Sequence, residues 1–118
     1  MVRGRRRQRM REIAKRRIAQ AVAKADVVVV NPTHYAVALR YDDKQDAAPI
    51  VMAKGVDEQA EKIREIARSK GVPVLSRPPL ARALYKHVKE NKAVPANLYR
   101  AVAEVLAYVY RLRNGGRA

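Results

Sequence analysis

The sequence predicts an α/β fold, in which a small four-stranded mixed sheet is packed with helices and preceded by a basic N-terminal linker helix. Three observations support this prediction: a basic segment with apolar residues at helical spacing, short apolar runs bounded by turn residues, and later apolar stripes that repeat every three or four residues. A chain of 118 residues has room for one compact core, and 48% hydrophobic residues are enough to fill it. We divide the chain into a linker helix at 1–24, an α/β domain at 25–113 and a flexible tail at 114–118.

The positive charge is concentrated in residues 1–24, the predicted linker helix. This segment holds ten Lys and Arg against one acid, whereas residues 25–118 hold sixteen against ten. Apolar residues recur there at spacings of three or four, as on one face of a helix; they are Met10, Ile13, Ala14, Ile18, Ala21, Val22 and Ala25. Such a helix could follow nucleic-acid phosphates, lie near anionic lipid headgroups or serve as a solvated linker.

Four short segments are predicted to be strands. The four valines at 27–30 favour a strand buried on both faces, because side chains branched at Cβ pack well in a sheet. Residues 35–41 alternate between the two faces, and one face holds Tyr35, Val37, Leu39 and Tyr41. Residues 50–53 and 72–75 complete the set, and Pro73 indicates a sheet edge because proline has no amide donor. The strand–helix–strand step between these last two segments indicates one parallel pair within a mixed sheet.

Three further helices are predicted, so the element order is α-β-β-β-α-β-α-α. Asp57 is placed to cap a helix that starts near Glu58, and Gly71 ends that helix in a left-handed conformation. A second helix follows Pro78 and Pro79, and a third runs from about 95 to 113. Their inward stripes contain Ala60, Ile63, Ile66 and Ala67, then Leu80, Ala83, Leu84, His87 and Val88, then Leu98, Ala101, Val102, Val105, Leu106, Val109 and Leu112.

The composition argues against several classes of function. Without cysteine the chain has no disulfide and no thiolate nucleophile, and two histidines, His34 and His87, leave too few ligands for a zinc site. We therefore predict no metal and no cofactor, and we assign His87 to packing. The sequence has no glycine-rich phosphate loop and no obvious carboxylate pair around a histidine, which argues against a turnover enzyme. No window approaches the roughly eighteen apolar residues of a membrane span, so we expect this chain to be soluble.

The turn Asn31-Pro32-Thr33-His34 between the first two predicted strands has unusual chemistry. In most sequences the backbone nitrogen of the residue after Asn can attack the Asn side chain, but proline has no backbone N–H and cannot make this attack. The reverse attack stays open: the Asn31 side-chain nitrogen can attack its own backbone carbonyl carbon, form a succinimide and expel the nitrogen of Pro32. Asn followed by Pro is also common in an ordinary β-turn, so these residues alone leave both interpretations open.

The other two residues of the turn could assist such a scission. An amide nitrogen is a poor nucleophile, so the reaction needs a held geometry, a proton acceptor and donors for the developing oxyanion. Neutral His34 could accept the proton or orient the amide, because a histidine side chain titrates near physiological pH. The Thr33 hydroxyl could fix the turn by hydrogen bonding.

Residues 24–113 resemble the cytoplasmic domain of the export-switch proteins of bacterial type III secretion, the FlhB/YscU family, and the flagellar branch is the most similar. The resemblance lies in the segments KADVVVVNPTHYAVALRY, APIVMAKG, GVPVLSRPPLARALY and LYRAVAEVLAYVYRL. It implies self-cleavage between Asn31 and Pro32, and it carries the cleavage motif onto Asn31, Pro32, Thr33 and His34 without a departure. The cleavage would be a single event and not turnover catalysis.

The resemblance also implies a location and partners. Members of the family have a transmembrane region ahead of this domain, so residues 1–24 resemble the linker that leaves the inner membrane on its cytoplasmic face. Expected partners are other export-apparatus proteins and exported flagellar substrates, whose selection changes from rod-and-hook type to filament type. An alternative function is a nucleic-acid-binding module that uses the basic arm, although the arm has no aromatic residue for base stacking.

Overall fold

The computed structural model describes residues 2–115, so the last three residues of the predicted tail at 114–118 lie outside the described part. The predicted element order is confirmed. In chain order the elements are α1 (Val2–Ala23), β1 (Val27–Asn31), β2 (Tyr35–Arg40), β3 (Ile50–Val56), α2 (Glu58–Ser69), β4 (Val74–Ser76), α3 (Pro78–His87), a short 3₁₀ turn (Ala96–Leu98) and α4 (Tyr99–Arg113).

The four strands form one mixed sheet in the spatial order β3-β2-β1-β4. β1 pairs antiparallel with β2, and β2 pairs antiparallel with β3. The mixed sheet has one parallel pair, as predicted, but that pair joins β4 to β1; β3, which the strand–helix–strand step suggested as the partner, lies at the opposite edge. The position of β4 at an edge agrees with Pro73, whose carbonyl accepts a hydrogen bond from the Val28 N–H at 2.8 Å.

Each face of the sheet is covered by helices, which gives two separate apolar clusters. Because side chains alternate along a strand, Val27 and Val29 of β1 belong to the cluster under α3 and α4. Val28 and Val30 belong to the opposite cluster, which contains residues of α2 and the C-terminal end of α1. β1 is thus buried on both faces, as the valine run predicts.

From residue 6 onward, the part of α1 whose side chains are described, the helix buries side chains against the domain in its C-terminal turns. Val22 is fully buried and Ile18 is half-buried, whereas residues 6–17 are exposed. The apolar residues predicted earlier in the stripe are therefore not part of a core: Met10 is 69% exposed and Ile13 is 49% exposed. The helix continues past the edge of the domain and gives the molecule a length of 58 Å against 30 Å in the other two directions.

Four details of the predicted helices are wrong. Asp57 precedes α2 but makes no side-chain cap hydrogen bond, and its backbone has a positive φ of 52°. His87 is exposed at the end of α3 and does not point inward. α4 starts at Tyr99 after the 3₁₀ turn and not near residue 95, and Leu112 is 52% exposed. Gly71 does take the predicted left-handed conformation, with φ 73°. In residues 2–115 we find no helix with the length and apolar character that crossing a membrane requires.

Candidate functional site

The predicted cleavage motif forms the turn that joins β1 to β2. Asn31 is the last residue of β1 and is paired in register with Tyr35, the first residue of β2. Asn31 is half-buried, whereas Pro32, Thr33 and His34 are exposed. The turn therefore has a base anchored in the sheet and a tip in solvent.

A backbone hydrogen bond closes this turn across the Asn31–Pro32 bond. The N–H of His34 donates to the carbonyl oxygen of Asn31 at a nitrogen–oxygen distance of 2.6 Å. That oxygen belongs to the peptide group that joins Asn31 to Pro32. The turn also contains a cis peptide bond between Pro32 and Thr33. The hydrogen bond polarises the carbonyl whose carbon an Asn31 side chain would attack.

The start of α2 lies beside this turn. The backbone N–H of Asp57 donates to the carbonyl oxygen of His34 at 2.9 Å, and the Asp57 carboxylate Oδ1 is 3.8 Å from His34 Nδ1. Both side chains are largely exposed, 67% for His34 and 73% for Asp57. The sequence-based interpretation missed this neighbour, since it treated Asp57 as a helix cap. The signal that could have found it is strand register: Tyr35 pairs with Val56, so the residues just outside that pair are adjacent.

α2 can approach the sheet here because β3 contains Gly55. A Cβ at this position would lie 2.7 Å from Cβ of Gln59 and 2.9 Å from the backbone carbonyl carbon of the same residue. Any larger side chain would therefore push the first turn of α2 away from β3. The glycine keeps the start of α2 close to the turn.

The strand ends on either side of the turn are also anchored. The N–H of Arg77 donates to the carbonyl oxygen of Val30 at 3.0 Å, which holds the end of β4 against the end of β1. On β2, the ring of Tyr35 packs on the ring of Tyr85 from α3, with centroids 4.7 Å apart. Lys54 of β3 donates to the carbonyl oxygen of Tyr85 at 2.8 Å. These contacts give the exposed turn a rigid base.

Four side chains are available at the turn: the amide of Asn31, the hydroxyl of Thr33, the imidazole of His34 and, beside it, the carboxylate of Asp57. Among the described residues there is no group of three His, Asp or Glu side chains that could hold a metal ion. His87 lies at the end of α3, outside this turn.

Comparison with known proteins matches this chain to bacterial export proteins. The flagellar biosynthetic protein FlhB of Yersinia enterocolitica is 52% identical over 116 residues, which are 98% of this chain and 30% of that protein. FlhB of Escherichia coli is 54% identical over 112 residues, which are 95% of this chain and 29% of that protein. The chain thus spans about 30% of the length of these relatives.

Solved structures show the same fold. The crystal structure of the cytoplasmic domain of FlhB from Shewanella putrefaciens superposes with a TM-score of 0.83 and 53% identity, covering 88% of this chain and 81% of that one. An EscU C-terminal domain with an Asn-to-Ala substitution has a TM-score of 0.76 and 30% identity, covering 78% of this chain and 92% of that one. A profile of the FlhB, HrpN, YscU and SpaS family matches residues 1–109. The chain therefore belongs to the FlhB/HrpN/YscU/SpaS family, as its sequence motifs predict.

Proposed function

We propose that this chain is the cytoplasmic part of a component of the bacterial flagellar export apparatus, and that it controls which substrates are exported. Family membership and the flagellar relatives support this role. One observation supports a mechanism for this control: the N–H of His34 donates a hydrogen bond of 2.6 Å to the carbonyl oxygen of Asn31. It lies on the peptide bond that the proposed reaction breaks.

The proposed switch is self-cleavage between Asn31 and Pro32. The side-chain nitrogen of Asn31 attacks its own backbone carbonyl carbon, and a new C–N bond closes a succinimide ring. The C–N bond to Pro32 breaks, and the Pro32 nitrogen leaves as a secondary amine that takes up one proton. The proton lost by the Asn31 amide passes to solvent or to the imidazole of His34, and water later opens the ring to leave a carboxylate.

The substitutions carried by some structural relatives support the choice of an Asn followed by a Pro as the site. Among them are EscU C-terminal domains in which an Asn was replaced by Ala or Asp, and one in which the next residue, a Pro, was replaced by Ala. In the present sequence Asn31-Pro32 is the only Asn-Pro pair. We therefore place the site at Asn31, Pro32, Thr33 and His34, with Asn31 as nucleophile and Pro32 as leaving group.

The reaction would act once per molecule, as a switch and not as a turnover enzyme. It leaves a carboxylate at residue 31 and an amine at residue 32, in a turn whose tip is already exposed. The two new ends can separate locally while β1 and β2 stay paired through five residues of each strand. We propose that this local change alters the surface that exported flagellar substrates and other apparatus proteins bind.

We propose that residues 1–24 connect the domain at 25–113 to the cytoplasmic face of the inner membrane. The exposed residues 6–17 of α1 contain Arg6, Arg7, Arg9, Arg11, Lys15, Arg16 and Arg17 against the single acid Glu12. Cations next to a membrane are attracted by the anionic lipids of the cytoplasmic leaflet. The Shewanella putrefaciens relative, described as a cytoplasmic domain, supports this placement.

The test of the proposed scission is intact mass under denaturing conditions. Freshly purified chain should separate into fragments 1–31 and 32–118, and the fraction cut should rise with incubation time. Asn31→Ala should stay whole because it lacks the attacking nitrogen, and its circular dichroism should match that of the parent. Asn97→Ala, which removes an exposed Asn from the 3₁₀ turn, is the matched control and should be cut normally. Efficient scission of Asn31→Ala would refute the mechanism.

A further inference from the structure

The proposed scission places negative charge on one identifiable atom. When the Asn31 side chain adds to its backbone carbonyl carbon, the electron pair of the C=O bond moves to the Asn31 carbonyl oxygen. A hydrogen-bond donor already aimed at that oxygen lowers the barrier, because it need not reorganise as the charge develops.

The N–H of His34 meets the requirement. It already donates to the Asn31 carbonyl oxygen at 2.6 Å, in a turn whose flanking residues Asn31 and Tyr35 are paired in the sheet. We infer that the backbone N–H of His34 is the oxyanion donor of the scission, held in place by the backbone N–H of Asp57. This inference rests on the proposed self-cleavage.

The start of α2 fixes the position of the His34 N–H. The His34 carbonyl oxygen accepts a hydrogen bond from the Asp57 N–H at 2.9 Å, so both peptide groups of His34 are hydrogen-bonded. Asp57 is itself anchored in the first turn of α2, since its carbonyl accepts from the Glu61 N–H at 3.0 Å. A continuous series of backbone hydrogen bonds thus connects α2 to the scissile carbonyl. Asp57 is a positioning residue in this series.

The side chain of His34 is a weaker candidate for this role. It is 67% exposed, and at 3.8 Å its Nδ1 lies beyond hydrogen-bond distance from the Asp57 carboxylate. An exposed imidazole can serve as proton acceptor, but water and buffer can take its place. The backbone N–H is instead already fixed on the Asn31 carbonyl oxygen by the turn. Position 34 therefore contributes mainly through its main chain.

The inference is tested by replacing single backbone amides with esters in the full chain. Cell-free translation with an α-hydroxy acid at position 34 removes the donating N–H and keeps the imidazole. We expect the rate of cleavage after Asn31 to fall about 10²–10³-fold, the usual effect of losing one oxyanion donor. His34→Ala keeps the N–H and should lose less. An ester at Asp43, in the exposed loop after β2, is the control and should cleave like the parent chain.

The contribution of Asp57 is measured by the cleavage rate and by infrared spectroscopy. An ester at position 57 should slow the cleavage, by less than the ester at position 34. A ¹³C label on the Asn31 carbonyl reports the hydrogen bond to its oxygen, so its stretching frequency should rise with either of these esters and not with the ester at Asp43. A merely structural role for Asp57 would leave that frequency unchanged.

The outcomes separate this inference from the proposed function. If the parent chain is never cut after Asn31, both fail. If the parent is cut and the ester at His34 is cut at the same rate, or if His34→Ala is cut more slowly than that ester, the donor assignment fails and the proposed scission stands. Hydrolysis of the ester itself breaks the chain after Thr33, and the fragment mass distinguishes that event.

Discussion

At the residue scale, the Arg40–Asp46 pair orders the loop that follows β2. Arg40 donates from Nε to the Asp46 carboxylate at 3.1 Å and from a terminal nitrogen at 2.8 Å, and the Asp42 N–H adds a third hydrogen bond at 2.9 Å. The side chain of Asp46 is only 5% exposed. The hydrogen bonds from Arg40 hold the pKa of Asp46 below its ordinary value of 3.8. The charged form of Asp46 is therefore favoured by folding.

This pair predicts a pH dependence of stability with a definite sign. Because the folded-state pKa of Asp46 is lowered, its contribution is complete above pH about 3.8 and is lost as the pH falls below that value. Asp46→Asn should lower the free energy of unfolding by about 1 kcal/mol near neutral pH. The difference from the parent should shrink on acidification, as measured by urea unfolding at several pH values. Asp43→Asn, an exposed change in the same loop, should have little effect. A difference that grows as the pH falls would contradict the assignment.

At the element scale, the packing of α2 on β3 determines what lies beside the turn at residues 31–34. The approach depends on Gly55, where a Cβ would meet both the side chain and the backbone of Gln59 within 3.0 Å. The same packing brings Asp57 to the carbonyl of His34. The stability of this interface and the geometry of the turn are therefore coupled.

Gly55→Ala should destabilise the domain by about 1–3 kcal/mol, because the clash is with the backbone of α2, which must shift as a whole and cannot rotate away as a flexible side chain could. The measurement is the midpoint of chemical unfolding in a chain that also carries Asn31→Ala, so that cleavage does not interfere. Gly71→Asn is the matched control: Gly71 has open space around its Cβ position, and Asn tolerates its φ of 73°. It should change stability much less. Equal effects of the two substitutions would show that close packing at Gly55 is not limiting.

At the scale of the whole molecule, the part of the chain that precedes the proposed cut contains a central strand. β1 lies between β2 and β4, and Val27, Val28 and Val29 are fully buried. Burial of this apolar surface does not depend on the covalent link at Asn31–Pro32. Cleavage should therefore leave the fold assembled.

We predict that fragments 1–31 and 32–118 co-elute in size-exclusion chromatography under native conditions and separate in denaturant. The cut protein should also melt at a temperature that rises with protein concentration, because unfolding now releases two chains. The uncut Asn31→Ala chain, as control, should melt at a temperature independent of concentration. Separate elution of the fragments in native buffer would contradict the prediction.

The sequence by itself determined the features that depend on neighbours along the chain. The element order, the doubly buried valine strand and the edge position of β4 follow from periodicity and from the missing amide of Pro73. The four residues of the proposed cleavage motif lie together because they are covalently adjacent. A local pattern indicates which face of a helix or strand is apolar, but it does not identify the element that packs on that face.

Only the tertiary structure decided which distant segments meet. It paired β4 with β1, left Met10 and Ile13 exposed, and put His87 in solvent. It also brought Asp57 to the turn, twenty-three residues after His34, through the register of β2 and β3. Apolar residues at regular spacing indicate that one face of an element can be buried. Burial itself also requires a second apolar surface in contact with that face. Strand register and helix packing supply that surface, and both depend on contacts between residues far apart in the sequence.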